Sequence, residues 1–421
     1  MSRTTPIHVL VVGGGIGGLT LAQGLRKAGV SVAVYERDRT RTDWLQGYRI
    51  HINPDGSRAL HECLPPAVWE TFVATAGQPS DGFGFLTNQL EELVAVEPPP
   101  APVDPASGHH PVSRITLRQV LLAGLEDVIE FDKQFVRYEQ TADGNVTAYF
   151  ADGTSATGDV LVGADGVGSR VRQEYLPKAR VVDTGVTALV GKLPLTDQTR
   201  AWLPRRLTSR PNNILPPRGS GMFVAEFIHK SGVAVDVTND GPDYLFWAFV
   251  APRTSYGTGG DLRRMDNAAL QQLALRMIDG WHPHLRRLVA ESDPSTVASL
   301  SIQTSEPMGP WAATPVTLLG DAIHTMTPLQ GIGGNTALRD AALLCRKLVE
   351  VDQRQAELLP SIAQYEAEMR RYGFEAVRAS LQTAQYAVSD SSLQRTVFKT
   401  ILRVASAVPP IKHRMFQAMA S

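Results

Sequence analysis

Three segments of this chain join glycine to residues that can grip a ligand: residues 11–18, Val-Val-Gly-Gly-Gly-Ile-Gly-Gly; residues 162–166, Val-Gly-Ala-Asp-Gly; and residues 318–324, Leu-Leu-Gly-Asp-Ala-Ile-His. In the first, Gly13, Gly15, Gly17 and Gly18, with Ile16 among them, follow an apolar run over 7–12 that has the β-branched character of a buried parallel strand. Leu19, Leu21, Ala22, Leu25 and Ala28 then predict a helix that Gly29 stops. Glycine lets the backbone turn sharply and approach a pyrophosphate, and the helix N-terminus offers that anion free N–H groups and a positive dipole end. A second strand over 31–35 delivers Glu36, with Arg37 beside it, where an acid can accept hydrogen bonds from a ribose diol. The chemistry predicted is the holding of a dinucleotide.

The other two segments extend the grip. The strand over 159–163 ends at Asp165 and Gly166, where open α/β sheets place ligand groups. The strand over 316–319 ends at Gly320 and Asp321, and the loop Pro328-Leu-Gln-Gly-Ile-Gly-Gly-Asn, carrying Pro328, Gly331, Gly333, Gly334 and Asn335, starts a helix to about Val349. That N-terminus favours negative charge, here that of a reduced flavin ring, and Asp321 suits the hydroxyls of a ribityl chain. His324 is read either as a buried structural histidine or as a catalytic one. In this order the three segments describe one cofactor, FAD, held at three points. Between them, residues 114–122 carry leucines at helical spacing, with Arg114 and Arg118 four apart on one face, suited to an anionic cofactor; for Arg118 a solvated basic stripe is the competing reading.

These residues need a scaffold, and length and texture indicate one. At 421 residues the chain predicts roughly two to three packed lobes: a discontinuous cofactor domain over 1–180 and 306–350, with part of 50–110 facing the substrate side; a β-sheet domain over 181–305; and a helical segment over 351–421. The inserted sheet is read from short runs over 221–228, 233–237 and 244–250. The last has no polar face, so both its sides are expected to be covered. Phe223, Trp247 and Phe249, together with Pro328, are the residues named for a substrate pocket, against the competing reading of core packing for the aromatic ones. A hairpin is predicted over 135–150, turning at Asp143-Gly144-Asn145. Proline crowds residues 97–111, which read as an exposed loop or flap. His109 and His110 there are read as solvated rather than as a metal site, and no metal is expected. Ile362, Tyr365, Met369, Tyr372 and Ala376 predict a long amphipathic helix, and Leu393, Val397, Ile401 and Leu402 a second that ends at Pro409-Pro410. Residues 412–416 are the place for a minor membrane-surface reading.

Composition narrows the class. With 41 basic and 42 acidic side chains, net charge −1, there is no electrostatic case for nucleic acid. Cys63 and Cys345 alone make neither a disulfide framework nor a metal cluster, which makes a reducing cytoplasm the default location. No stretch approaches the roughly 20 apolar residues of a membrane span.

On residues 13–18 with Glu36, the Arg114-x-x-Leu117-x-x-x-Leu121 pattern, Asp165-Gly166, and Gly320-Asp321 followed by Pro328 and residues 331–335, the chain resembles the single-component FAD-dependent monooxygenases of the aromatic-hydroxylase type, with the p-hydroxybenzoate hydroxylase fold. The resemblance spans roughly residues 5–385. It implies a Rossmann-like α/β FAD-binding domain with an inserted, mainly antiparallel substrate sheet and C-terminal helices, as a monomer or homodimer. It implies non-covalent FAD reduced by NADPH or NADH, reaction with O2 at flavin C4a to a hydroperoxide, and transfer of one oxygen atom to a small organic molecule. Hydroxylation of an aromatic or polyketide-like ring is the first reading. Epoxidation and Baeyer–Villiger insertion use the same chemistry, while a halogenase or a non-catalytic flavin-binding protein fits the motifs less well. Gly47-Tyr-Arg-Ile50 is similar to the family's second cofactor-side segment, which makes Arg49 a flavin or active-site contact. Ile332 stands where many relatives carry Gln, so only a backbone contact to the flavin survives there. The flavin supplies the hard chemistry, and no catalytic side chain is assigned.

Overall fold

The computed structural model describes residues 6–40, 48–98, 102–230, 241–257 and 261–408. The runs of Val, Ile and Leu that predicted buried strands form a five-stranded, all-parallel sheet in the order Val316–Leu318, Val160–Gly163, His8–Val12, Ser31–Tyr35, Ile129–Glu130. Val9, Leu10 and Val11 lose all solvent contact, each contributing about 1.5–3 kcal/mol on burial. The helices Ile16–Lys27 and Gly333–Asp352 pack against each other in the same core. The two cysteines meet there, buried and free; the neighbouring thiol and burial push the Cys63 thiol well above its ordinary pKa, which keeps it unreactive.

The predicted hairpin forms from Phe135–Gln140 and Val146–Phe150, extended by Ser155–Gly158 into a three-stranded sheet. The inserted sheet is larger than residues 181–305 suggest. Its seven strands run Ala298–Ser305, Val181–Pro194, Tyr244–Pro252, Gly221–Phe227, Asn212–Leu215, Phe83–Thr87, Glu92–Val96, so the chain enters this lobe twice. All pairings are antiparallel except Asn212–Leu215 with Phe83–Thr87.

Both faces of Tyr244–Pro252 are covered, as its lack of a polar face predicted. Leu245, Trp247 and Phe249 point into a core with residues of the helices Asn267–Met277 and Pro283–Ala290, while Phe246 and Val250 face the other way, toward Tyr48, Phe223 and Leu329. This alternation corrects the placement of Trp247 and Phe249 in a pocket. Both are fully buried on the helix-covered face, and Trp247 Nε1 donates to Ser292 Oγ at 2.8 Å.

Residues 97–111 are not simply a loop. Arg49–Ile52 pairs antiparallel with His110–Ser113, which buries His110 with Nε2 2.9 Å from Pro105 O, and His109 Nδ1 lies 2.8 Å from His51 Nε2. Pairing with a strand some sixty residues earlier is what removes His110 from solvent and leaves His109 half-buried. Among the described residues no group of three or more metal-ligating side chains converges.

The helix Leu358–Ala387 buries Ile362, Tyr365, Met369 and Tyr372 at the predicted spacing. In Ser392–Ala407 the stripe reads differently: Leu402 is buried, whereas Leu393, Val397 and Ile401 are exposed, because the helix sits on Glu92–Val96 through Leu402 and Phe398. No helix among the described residues is long and apolar enough to cross a membrane. Gly47, the run over 233–237, Pro409-Pro410 and residues 412–416 lie outside the described residues.

Candidate functional site

The first strand ends at Gly13, whose φ of +113° belongs to glycine and whose N–H donates to Tyr35 O at 2.9 Å. A Cβ at Gly13 would stand 2.4 Å from Ala164 O, so the turn is pressed against the neighbouring strand's end. At Gly15 an added Cβ would meet no protein atom within 4 Å, since this glycine faces the cleft. Gly15 caps the helix Ile16–Lys27 without any side-chain hydrogen bond, which leaves its first-turn N–H groups for a ligand.

Glu36 braces this turn from the next strand. Its Oε2 accepts from Gly14 N at 2.5 Å and its Oε1 from Asp38 N at 2.9 Å. Arg118 completes the brace: it is buried, its Nε donates to Gly14 O at 3.0 Å, and its guanidinium lies 3.5 Å from Asp38 and 3.9 Å from Glu36. The solvated-stripe reading of Arg118 is thereby overturned by its burial against the glycine turn. Around this cradle is a cavity of about 270 Å³, lined by Gly13, Gly15, Ile16, Glu36, Arg37, Arg114, Asp165 and Gly166 of the residues anticipated. Sequence reasoning missed Asp38, Lys133, Gln134 and Arg170 in its wall.

Arg114 opens the helix Arg114–Leu122, capped by Ser113. Arg114 lines this cavity, and it and Asp321 both keep accessible surface and lie close enough to feel each other's charge. Burial lowers the Arg114 pKa, with the Asp321 charge opposing it. Burial raises that of Asp321, with His324 and Arg114 opposing. The pair joins the glycine cradle to the third segment. Asp165 Oδ2 accepts from Arg170 N at 2.8 Å at the start of the helix Arg170–Tyr175, while its Oδ1 has no hydrogen-bond partner among the described residues. Desolvation raises its pKa against those backbone bonds.

At the far end, Gly320 (φ +63°) leads into the turn Asp321–His324, and the 3-10 turn Pro328–Gln330 ends in Gly331 before the helix Gly333–Asp352, whose N-terminus again lacks a side-chain cap. Asn335 has both ends of its amide engaged by protein: Oδ1 accepts from Asn53 N at 2.9 Å, and Nδ2 donates to His51 O at 2.8 Å. It therefore ties the strand Arg49–Ile52 to this loop. His324 is the buried structural histidine: its Nε2 is 2.6 Å from Asp340 Oδ2, which also accepts from Gly320 N at 2.7 Å, while Asp340 Oδ1 accepts from Tyr372 OH at 2.6 Å. Leu329 of this loop packs on the sheet face that carries Phe223 and Phe246, their ring centroids 6.4 Å apart, with Tyr48 4.9 Å from Phe246. Phe223 is thus on the face against which Leu329 packs.

A glycine turn on a parallel sheet, an acid after the second strand, a cavity lined by charged residues and a second uncapped helix start define a dinucleotide-binding oxidoreductase with an inserted sheet. Residues 6–197 and 280–380 match the family model described as FAD binding domain. The chain belongs to this family, as a single-component FAD-dependent monooxygenase of the aromatic-hydroxylase type. It is 34% identical over 391 residues to the dual O-methyltransferase/FAD-dependent monooxygenase CTB3 of Cercospora beticola, covering 86% of this chain and 44% of that one, so it spans under half the length of this curated relative. To the aurachin C monooxygenase/isomerase of Stigmatella aurantiaca it is 29% identical, over 96% of this chain and 95% of that one. Among solved structures, a protein of Photorhabdus luminescens assigned as an FAD-containing monooxygenase superposes with TM-score 0.81 at 37% identity, over 91% of this chain and 98% of the other. Klebsiella pneumoniae HpxO complexed with FAD and uric acid shares the fold, with TM-score 0.80 at 23% identity over 98% and 96% of the two chains.

Proposed function

We propose that the protein uses NAD(P)H and O2 to hydroxylate an aromatic or polyketide-like small molecule on bound FAD. The observation that carries this reading is the cavity at the Gly13 turn, whose Arg114 feels the charge of Asp321, with Leu329 of the loop that follows packed on the aromatic face of the seven-stranded sheet. Relatives named for aurachin C and for urate support a small-molecule substrate.

The residues present fit FAD. The orphaned Asp165 Oδ1 and the ligand-sized gap at Gly15 are what a bound dinucleotide would fill. In this reading Gly13, Gly15, Ile16, Gly17 and Gly18 take the pyrophosphate, Glu36 the ribose, Arg114 and Asp165 the middle of the cofactor, and Asp321 its ribityl hydroxyls. The backbone of Gly331, Gly333 and Gly334 faces the flavin. FAD, when bound, supplies hydride acceptance from the nicotinamide and activation of dioxygen. The chain's own work is to orient the substrate on the sheet face and to exclude water there, where Phe223, Phe246 and Leu329 are apolar and the Tyr48 hydroxyl donates to Thr296 O at 3.1 Å.

Glu36→Ala is expected to weaken FAD binding about 10- to 100-fold, since it removes charged hydrogen bonds worth roughly 1.5–3 kcal/mol. Fluorescence titration of apoprotein with FAD reads the change. The reading as a whole is tested by the absorbance of the purified protein and by anaerobic titration. A flavin spectrum bleached by NADPH or NADH is expected, and a colourless protein that cannot be reconstituted with FAD would overturn it.

A further inference from the structure

The helix Ser392–Ala407 carries two apolar stripes, and the fold uses one of them. Phe398 and Leu402 pack on Glu92–Val96, and Ala405 is buried on the same side. Arg395 fastens that side, its guanidinium donating to Ser220 O at 2.9 Å and to Ala387 O. Leu393, Val397, Ile401, Val404 and the capping Val408 follow at spacings of four, four, three and four, which places them in one row on a second face. They keep 73, 50, 51, 50 and 36% of their surface in solvent. Tyr386 of the preceding helix adjoins them, its ring 5.2 Å from that of Phe398 and its OH donating to Gln394 O at 3.2 Å. A row of five large apolar side chains along ~24 Å of helix is a patch, unlike the single exposed residues of an ordinary surface.

Charge decides what covers this row. After Asp390 the sequence holds Arg395, Lys399, Arg403, Lys412 and Arg414 and no aspartate or glutamate, so its last 31 residues carry +5 in a chain whose net charge is −1. The acids that face the helix are Glu91, 3.7 Å from Arg403, and Asp390, which acts on Arg395. Burial lowers the Lys399 pKa, and Arg395 and Arg403 lower it further against Glu91, as in a cluster where cations outnumber counter-charges. A second copy seated on the row would set like charges against each other, with no acid on either helix to answer them. An anionic lipid surface accepts both the apolar row and the cations. A basic amphipathic helix of this kind lies in the plane of a membrane interface, and no helix among the described residues is long and apolar enough to cross one. We propose that Ser392–Ala407 docks the protein on an anionic lipid bilayer, with the row from Leu393 to Val408 sunk below the headgroups and Lys399 and Arg403 level with them. The proposal does not rest on the monooxygenase reading above.

The test floats the full chain with vesicles of phosphatidylcholine alone and of phosphatidylcholine and phosphatidylglycerol in equal parts, in ~50 mM and ~500 mM salt. Wild type is expected to bind the mixed vesicles ~10-fold or more tighter than phosphatidylcholine at low salt, and to leave them at high salt. Val397→Asp with Ile401→Asp, both at exposed positions, is expected to weaken that binding ~10-fold or more. Lys399→Gln with Arg403→Gln is expected to remove most of the preference for the mixed vesicles, each cation near such a surface counting for about fivefold. No flotation with the mixed vesicles, equal flotation with both kinds, or flotation unchanged in the Val397→Asp, Ile401→Asp variant overturns the proposal. So does a dimer in sedimentation velocity that the same variant dissolves, which would make the row a contact between copies. The wild-type comparison needs no variant to fold, and flavin absorbance in each sample reads the cofactor site separately.

Discussion

Gly13→Ala is expected to abolish flavin retention and to destabilise the protein by at least about 3 kcal/mol, the combined effect of a strained φ and a backbone overlap that nothing can relieve. At φ +113° an L side chain is strained whatever the space around it, and here there is none. The added methyl would meet Ala164 O at 2.4 Å and Asp165 N at 2.9 Å, both backbone atoms of the adjoining strand's end. Moving them displaces Asp165 from the cleft, so the cofactor cradle is damaged on two sides by one methyl group. Denaturant unfolding read by fluorescence, with flavin absorbance after desalting, checks both parts. A variant that keeps its yellow colour and its wild-type midpoint would show that the turn tolerates a side chain, and would remove the geometric basis for the cradle.

Asp340→Ala is expected to be similarly severe, at about 3–5 kcal/mol, the usual cost of taking one partner from a buried ionic pair. The carboxylate has no solvent exposure and accepts from Gly320 N, His324 and Tyr372 OH together. Removing it orphans three donors and frees the Gly320 turn that aims Asp321. The loss also has a pH signature. Burial works against protonation of His324, but the Asp340 carboxylate, with help from Asp321, outweighs it and holds the histidine above its ordinary pKa. A folded-state pKa raised above the unfolded value means that the stabilisation is fully present below about pH 6.5 and is lost as pH rises through the folded value. The gap between wild type and Asp340→Ala should therefore be widest in mildly acid buffer and narrow in alkaline buffer. Urea midpoints at pH 6 and above pH 8 read the trend, and a gap that widens with pH would contradict the ion pair.

The parts of the site that could be read from sequence are those made by neighbours in the chain. Strand, glycine turn, helix and Glu36 lie within some thirty residues, and each element's own periodicity declares it. Asp321 and the glycines after Pro328 are legible for the same reason. Lys133, Gln134 and Arg170 reach the same cavity only because the fold brings separate segments side by side, and that juxtaposition has no local signature. Trp247 and Phe249 show a different limit. A strand apolar on both faces carries no mark of which face meets the cleft, and a shift by one residue exchanges Phe246 for Trp247. His109 and His110 were hidden by a pairing with Arg49–Ile52 that their proline-rich neighbourhood argues against.

The double entry of the chain into the seven-stranded sheet bears on how such an enzyme can acquire a new specificity. Residues 181–305 form no detachable cassette, because Phe83–Thr87 and Glu92–Val96 complete the same sheet from within the first half of the cofactor fold. A graft of the inserted segment from a relative would leave two host strands to register against foreign ones along the Asn212–Leu215 seam. New substrate preference is therefore more accessible through point changes on the cleft-facing side of that sheet than through recombination of modules.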